Sequence, residues 1–298
     1  MLHKHRMPLV YSAINHLQNT AWKVNSKVLD VALQLWTEGN EIAGLPNREN
    51  ELCPPFPFPE LSKDDVLTEE QIKIKKVWKR KTFEIHNRNV QKASQRISIA
   101  MILSIAQRFS KYEKIYFPHQ MDFRGRLYPI PVLLQPQGND LAKSLLSFAK
   151  GKPIIGNEKA IKWLKIHGAN MFGYDKASYD ERVKWVEERE QEICSFAENP
   201  IANRGWAEAD KPFQFLAWCF EYAEFLKNPR VFETHIPIQL DGTANGLQHY
   251  AALLKDDVGG KSVNLVDSET PYDIYTIVAN KLKDNISKLV SKEKLADK

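Results

Sequence analysis

The segment Phe213–Leu226, FQFLAWCFEYAEFL, constrains this chain more than any other, because it is apolar nearly all round and as a helix belongs in an interior. The rest of the 298 residues must supply the core that encloses it. That length allows one large or two ordinary domains, since single cores stop growing at about 250–300 residues. A hydrophobic fraction of 43% beside 27% charged residues fits a folded globular chain and excludes disordered, collagen-like and disulfide-scaffold classes. Cys53, Cys194 and Cys219 are far apart and form no CxxC pair, so neither a disulfide framework nor a cysteine zinc site is expected. A reducing compartment suits them. No run of about 18 apolar residues exists, and the start MLHKHRMPLV has neither a secretory nor a transit-peptide pattern, so nothing here addresses a membrane.

From Ile14 the apolar positions Leu17, Ala21, Val24, Val28, Val31 and Leu35 recur at spacings of three and four, which predicts one long amphipathic helix. Between Leu45 and Glu60, Pro46, Pro54, Pro55, Pro57 and Pro59 interleave with Phe56 and Phe58, forbidding regular helix and predicting an ordered surface connection. The net charge of +5 is modest, yet from Lys73 to Arg96 nine basic residues face one acid, Glu84, in a stretch without helix breakers. The predicted basic helix is either a solvated face or a surface for nucleic-acid phosphates, where each neutralised phosphate releases counterions.

Residues 111–140 carry aromatic and β-branched residues among glycines and prolines, predicting short strands and turns. Helices are predicted over Asn157–Asn170, with Gly168 as its stop, and over Tyr179–Phe196. His235–Asp241, HIPIQLD, alternates like a half-buried strand and delivers Asp241 to Gly242 at its end. A carboxylate followed by glycine can offer a hard cation a side-chain oxygen and a backbone carbonyl, but Asp-Gly after a strand also serves as a plain turn. The continuation DGTANGLQHY has the small, flexible positions of a pocket floor. His167 and His249 have no partner at metal-ligand spacing and are read as structural.

QLDGTANGLQHYAALLKDDVGGKSVNL resembles the first catalytic motif of the bacteriophage-type single-subunit DNA-directed RNA polymerases, a family with mitochondrial and chloroplast members. YSAINHLQNTAWKVN, FPHQMDFRGRLYPI, PQGNDLAKSLLSFAKGKPI, WLKIHGANMFGYDK, PFQFLAWCFEYAEF and DSETPYDIYTIVANKL resemble it in the same order. The resemblance implies a helix-rich α+β fold, part of a right-hand polymerase, with residues 1–110 a helical region and 111–298 a palm-region segment. It implies that Asp241 is a catalytic, metal-binding aspartate with the Gly242 carbonyl beside it, in a two-metal Mg²⁺ site for nucleoside monophosphate transfer to an RNA 3′ end. Gly246 falls where related DNA polymerases carry a glutamate that excludes the ribose 2′-hydroxyl.

By the same resemblance Lys176 contacts the incoming triphosphate, Tyr275 lies near the nucleotide, and Arg124 and Arg126 approach the nucleic-acid strands. Alternatives stand beside each: a solvated lysine, a buried helix aromatic, an arginine paired with Asp122. The implied partners are a DNA template, an RNA product and ribonucleoside triphosphates, with no membrane and a monomeric parent enzyme in the host cytoplasm or a mitochondrion. These 298 residues lack the promoter-recognition domain, the lysine-bearing second motif and the second metal aspartate of the family, so alone they are expected to be inactive. An inert nucleic-acid-binding remnant is the other reading, and a DNA polymerase is disfavoured by Gly246.

Overall fold

The apolar stripe from Ile14 to Leu35 folds as two helices, not one, in the computed structural model, which describes residues 7–39, 41–60, 67–239, 242–268 and 270–296. Helix α1 (Pro8–Gln18) ends before β1 (Trp22–Val24), and α2 (Ser26–Glu38) follows. The break has a local cause. The Asn25 side chain accepts from Val28 N–H and opens a new helix, while the backbone of Trp22–Val24 finds partners in a distant strand. Gly39, at φ 77°, closes α2 in the left-handed conformation that glycine adopts without strain.

Helix α3 (Glu69–Phe109) contains the predicted basic stretch and opens with a reciprocal Thr68/Gln71 capping box. It buries Ile85, Ile99, Ile102, Leu103 and Ala106. The proline-rich connection is stitched along it. Trp78 Nε1 donates to the Pro54 carbonyl at 2.9 Å, Phe56 meets the Trp78 ring edge-on at 5.1 Å, and Asn89 exchanges two hydrogen bonds with the Glu51 backbone. Arg88 and Lys92 pair with the Glu51 carboxylate, and Arg96 donates to the Asn47 carbonyl and Asn50 Oδ1.

A hairpin, β2 (His119–Met121) and β3 (Leu127–Pro129), comes next, then α4 (Asp140–Ser144), β4 (Leu146–Phe148) and β5 (Lys152–Pro153). β4 is the antiparallel partner of β1, with Trp22 opposite Phe148 and Val24 opposite Leu146. Helices α5 (Glu158–Phe172), α6 (Tyr179–Glu187), α7 (Glu190–Glu198) and α8 (Pro212–Lys227) follow. Gly168 is buried inside α5, and Gly173, at φ 109°, is the stop. The predicted Tyr179–Phe196 helix is broken after Glu187: the Arg189 guanidinium donates to the Trp185 carbonyl at 3.2 Å and lies 4.8 Å from that ring, closing the end of α6.

The last elements are β6 (Glu233–Thr234), paired with β5, and α9 (Asn245–Leu254), α10 (Asp257–Ser262) and α11 (Ile274–Ala296). The fold is thus helix-rich α+β with three two-stranded sheets among the described residues. The predicted His235–Asp241 strand is not formed over residues 235–239, because the ladder stops at Thr234, and its last two positions lie outside the described residues. His235 N–H turns instead to the Glu221 carboxylate, and the His235 carbonyl accepts from Phe148 N–H at 2.9 Å. Gly151 admits this approach: a Cβ there would sit 2.8 Å from His235 Nε2.

Two compact units divide the chain, residues 1–156 with 191–237, and residues 157–190 with 238–298. In the first, α8 is the central helix, packed against α2, α4 and a 3-10 turn at Gly205–Glu208. Phe213, Phe215, Leu216, Trp218 and Tyr222 are fully buried, as an all-round apolar helix requires. In the second, α5 packs on α6 and α9 on α10. No helix of the described residues is long and apolar enough to cross a membrane.

Candidate nucleotide and nucleic-acid site

Asp241, with Leu240 before it, lies outside the described residues. Gly242 begins the described turn and is exposed. The turn leads into α9 through Ala244, held at φ 50°, so the chain reverses sharply before Asn245. Gly246 stands in the first turn of α9, and a Cβ added there would meet nothing within 4 Å, so the space beside it is open. His249 is exposed on the same helix.

Asn264, at φ 57°, ties this turn to the segment before α11. Its Nδ2 donates to Thr243 Oγ1 at 3.4 Å and to the Tyr272 carbonyl at 2.8 Å, and its Oδ1 accepts from Tyr272 N–H at 2.7 Å. Sequence reasoning missed this residue. An asparagine tolerates the left-handed region, but nothing local shows that its partners lie eight and twenty-one positions away.

Tyr275 lies in the first turn of α11 and is 78% exposed, so the buried-aromatic alternative is excluded. Asp273 holds that end of the helix, accepting from Tyr275 N–H at 3.0 Å and from Thr276 Oγ1 at 2.8 Å. The Thr276 hydroxyl first, and further down the Lys176 charge, hold the Asp273 carboxyl below its ordinary range. Lys176 lies in the same unit as Gly242, Gly246 and α11. Its own side chain is 82% exposed, with the Asp175 carboxylate 3.7 Å away.

Arg124 and Arg126 belong to the other unit, at the tip of the β2–β3 hairpin. Asp122 organises that tip. Its Oδ1 accepts from the N–H groups of Arg124 and Arg126, both at 2.9 Å, and its Oδ2 accepts two bonds from the Arg124 guanidinium at 3.1 Å. Arg124 thus takes the pairing alternative, its guanidinium carbon also 5.6 Å from the centre of the exposed Phe123 ring, while Arg126 contributes its backbone to Asp122 and is exposed. The Arg126 N–H, ahead of the Arg124 contacts, holds the Asp122 carboxyl below its ordinary range. A depressed carboxylate stabilises the fold above its unfolded pKa and loses that contribution as pH falls through its folded value. Amide protection at residues 123–126, measured against the intrinsic exchange rate at each pH, is therefore expected to fall in acid, below the ordinary aspartate range, and to be lost at all pH values in Asp122→Ala.

Among the described residues no three His, Cys, Asp or Glu side chains converge on a metal position. The donors that the motif offers a cation are the Asp241 carboxylate and the Gly242 carbonyl, both hard oxygens of the kind Mg²⁺ takes. Of the nine basic residues on α3, Arg88, Lys92 and Arg96 are engaged with the proline-rich connection and Arg80 with Glu84. Lys73, Lys76, Lys79 and Lys81 are exposed without an ion pair among the described residues.

Residues 155–298 match a family model described as DNA-dependent RNA polymerase. The DNA-directed RNA polymerase of Enterobacteria phage T3 is 44% identical over 279 residues, covering 93% of this chain and 30% of that protein. T7 RNA polymerase of Escherichia phage T7 is 42% identical over 280 residues, again 93% of this chain and 30% of the relative. The mitochondrial DNA-directed RNA polymerase 1 of Arabidopsis thaliana is 39% identical over 281 residues, 93% of this chain and 28% of the relative. Over 93% of its length the chain is thus similar in sequence to phage-type DNA-directed RNA polymerases. It spans about a third of the length of these relatives.

Proposed function

We propose that this chain is the segment of a template-directed RNA polymerase that carries the first metal aspartate and part of the nucleotide pocket. The observation that carries this reading is the 42–44% identity with the phage enzymes over 93% of the chain. Its finer part is a right-hand polymerase fold, with residues 1–110 a helical region near the thumb and 111–298 a palm segment. The substrates are ribonucleoside triphosphates and the product strand is RNA, paired with a DNA template.

Mg²⁺, held by the Asp241 carboxylate and the Gly242 carbonyl, would supply charge stabilisation at the reacting phosphate. The remaining roles fall to this chain's own groups. The Lys176 ammonium, on an exposed loop, is a flexible point charge suited to a triphosphate. The open space at Gly246 admits a ribose 2′-hydroxyl. Tyr275 offers a solvent-facing ring beside the Asp273 carboxylate that caps its N–H. Arg126 and Phe123, on a tip rigidified by Asp122, offer a guanidinium and a π-face to a nucleic-acid strand.

The four exposed lysines of α3 that have no ion pair among the described residues favour a second reading in which the segment by itself only binds nucleic acid. Titrating the 298-residue chain with a DNA–RNA hybrid at several salt concentrations separates phosphate binding from a solvated face. A log–log salt slope near −3 to −4, reduced by about one for each lysine among Lys73, Lys76, Lys79 and Lys81 changed to glutamine, is expected. A slope that these substitutions leave unchanged would assign the lysines to solvent.

A further inference from the structure

Arg182 is the one buried charged side chain of the described residues, 4% exposed, and no carboxylate pairs with it there. Each branch of its guanidinium is spoken for by a neutral acceptor. Nη1 donates to Asn170 Oδ1 at 2.9 Å, Nη2 to the Asp175 carbonyl at 2.7 Å, and Nε to the Ala177 carbonyl at 3.0 Å, with the Tyr179 ring 5.1 Å from the guanidinium carbon. The two backbone acceptors flank Lys176. One planar cation therefore grips the chain on both sides of the residue whose ammonium reaches solvent.

We infer that Arg182 is a positioning residue for Lys176: it fixes the loop Gly173–Ser178 so that this lysine is presented to a triphosphate in a single backbone geometry. The inference rests on the reading of Lys176 as the phosphate contact. The chemistry favours arginine over any substitute. Lysine keeps the charge but has a single donor centre, which cannot span carbonyls two residues apart together with the Asn170 amide. Without the three bonds, the Asp175 and Ala177 carbonyls would turn to water, and Lys176 would sample many orientations. Ordering it on binding would then cost affinity. The ordinary structural role of a buried arginine, bracing α5 against α6, accounts for the Asn170 contact but not for two contacts to carbonyls that bracket an exposed lysine.

The test uses the 298-residue chain with inorganic triphosphate as the probe, at low salt, following backbone amide and Lys176 side-chain resonances. Lys176→Ala is expected to weaken triphosphate binding about five- to tenfold, and Arg182→Lys to weaken it to a similar degree. The double variant is expected to be no weaker than either single one, because Arg182 acts only through Lys176. Asn170→Ala, which leaves both loop carbonyls gripped, is expected to lower the melting temperature while changing affinity less than twofold. Amide exchange at residues 174–178 should rise in Arg182→Lys and not in Lys176→Ala. Binding that survives Lys176→Ala unchanged, or no binding by the wild-type chain, overturns the reading of Lys176 and this inference with it. Weakening by Lys176→Ala together with an unchanged, or fully additive, Arg182→Lys overturns the inference alone.

Discussion

Trp218→Ala is expected to destabilise the first unit by about 3–5 kcal/mol. The ring is fully buried, stacked 4.8 Å from Tyr222 and 5.5 Å from Phe215, and these lie on one helix enclosed by others. Alanine would remove the transfer free energy of an indole and leave a cavity whose walls are rings locked against further partners. Such walls cannot collapse inward. Trp218→Phe keeps most of the volume and should lose less than half as much. Denaturant unfolding followed by far-ultraviolet circular dichroism would measure both, and a loss below 1 kcal/mol for the alanine variant would mean that α8 is not the centre of this core.

The second large effect is at Asp140. The N-cap position of α8 is Lys211, which makes no side-chain cap hydrogen bond. The Asp140 carboxylate does that work from α4, accepting from Phe213 N–H at 2.8 Å, Gln214 N–H at 3.2 Å and Gln214 Nε2 at 3.0 Å. Asp140→Ala strands these donors in a buried helix start and is expected to cost about 2–3 kcal/mol. The pH dependence has a definite sign. Desolvation raises the Asp140 carboxyl above its ordinary range, outweighing the bonds from Gln214 and Phe213. The folded state therefore holds its proton more tightly than the unfolded state. This group's contribution is greatest below the unfolded aspartate pKa and is lost as pH rises through the raised folded value. Glu221, also raised by desolvation, acts in the same direction. Asp140→Asn should flatten the acid-side slope of the stability curve while losing only the Phe213 bond.

Much of this architecture could be read from residue order. An all-round apolar helix had to be interior, and Phe213–Leu226 is. A breaker-free basic run had to be helical, although its charge partly serves another end: Arg88, Lys92 and Arg96 point at backbone and carboxylate groups of the proline-rich connection, a pairing across some forty residues that no local pattern reveals. The errors share one cause. Period-three-and-four spacing continued through Ala21 and Val24 although those residues border or belong to a strand, because a ladder partner at Leu146–Phe148 overrides local periodicity. Alternation in His235–Asp241 promised a strand, but among the described residues no strand pairs with the chain beyond Thr234, so residues 235–239 have no ladder to join. Gly168 was the nearer glycine, but it is buried within α5, and the left-handed stop falls to Gly173.

The candidate site divides in the same way. Residues named by motif, such as Lys176, Gly246 and Tyr275, were legible because their chemistry sits in a recognisable string. Asn264 and Arg182 were not, since their significance lies in which carbonyls they reach once the chain is folded. Both act on loops that carry the motif residues.

The most direct measurement is templated RNA synthesis by a chimera in which this chain replaces the matching segment of T7 RNA polymerase, whose sequence it shares at 42% identity. The chimera should extend an RNA primer with ribonucleotides on a DNA template, and Asp241→Ala should abolish extension while hybrid binding and the melting temperature stay within error. A folded chimera that binds the hybrid yet incorporates nothing, or one that extends equally well with Asp241→Ala, would contradict the account.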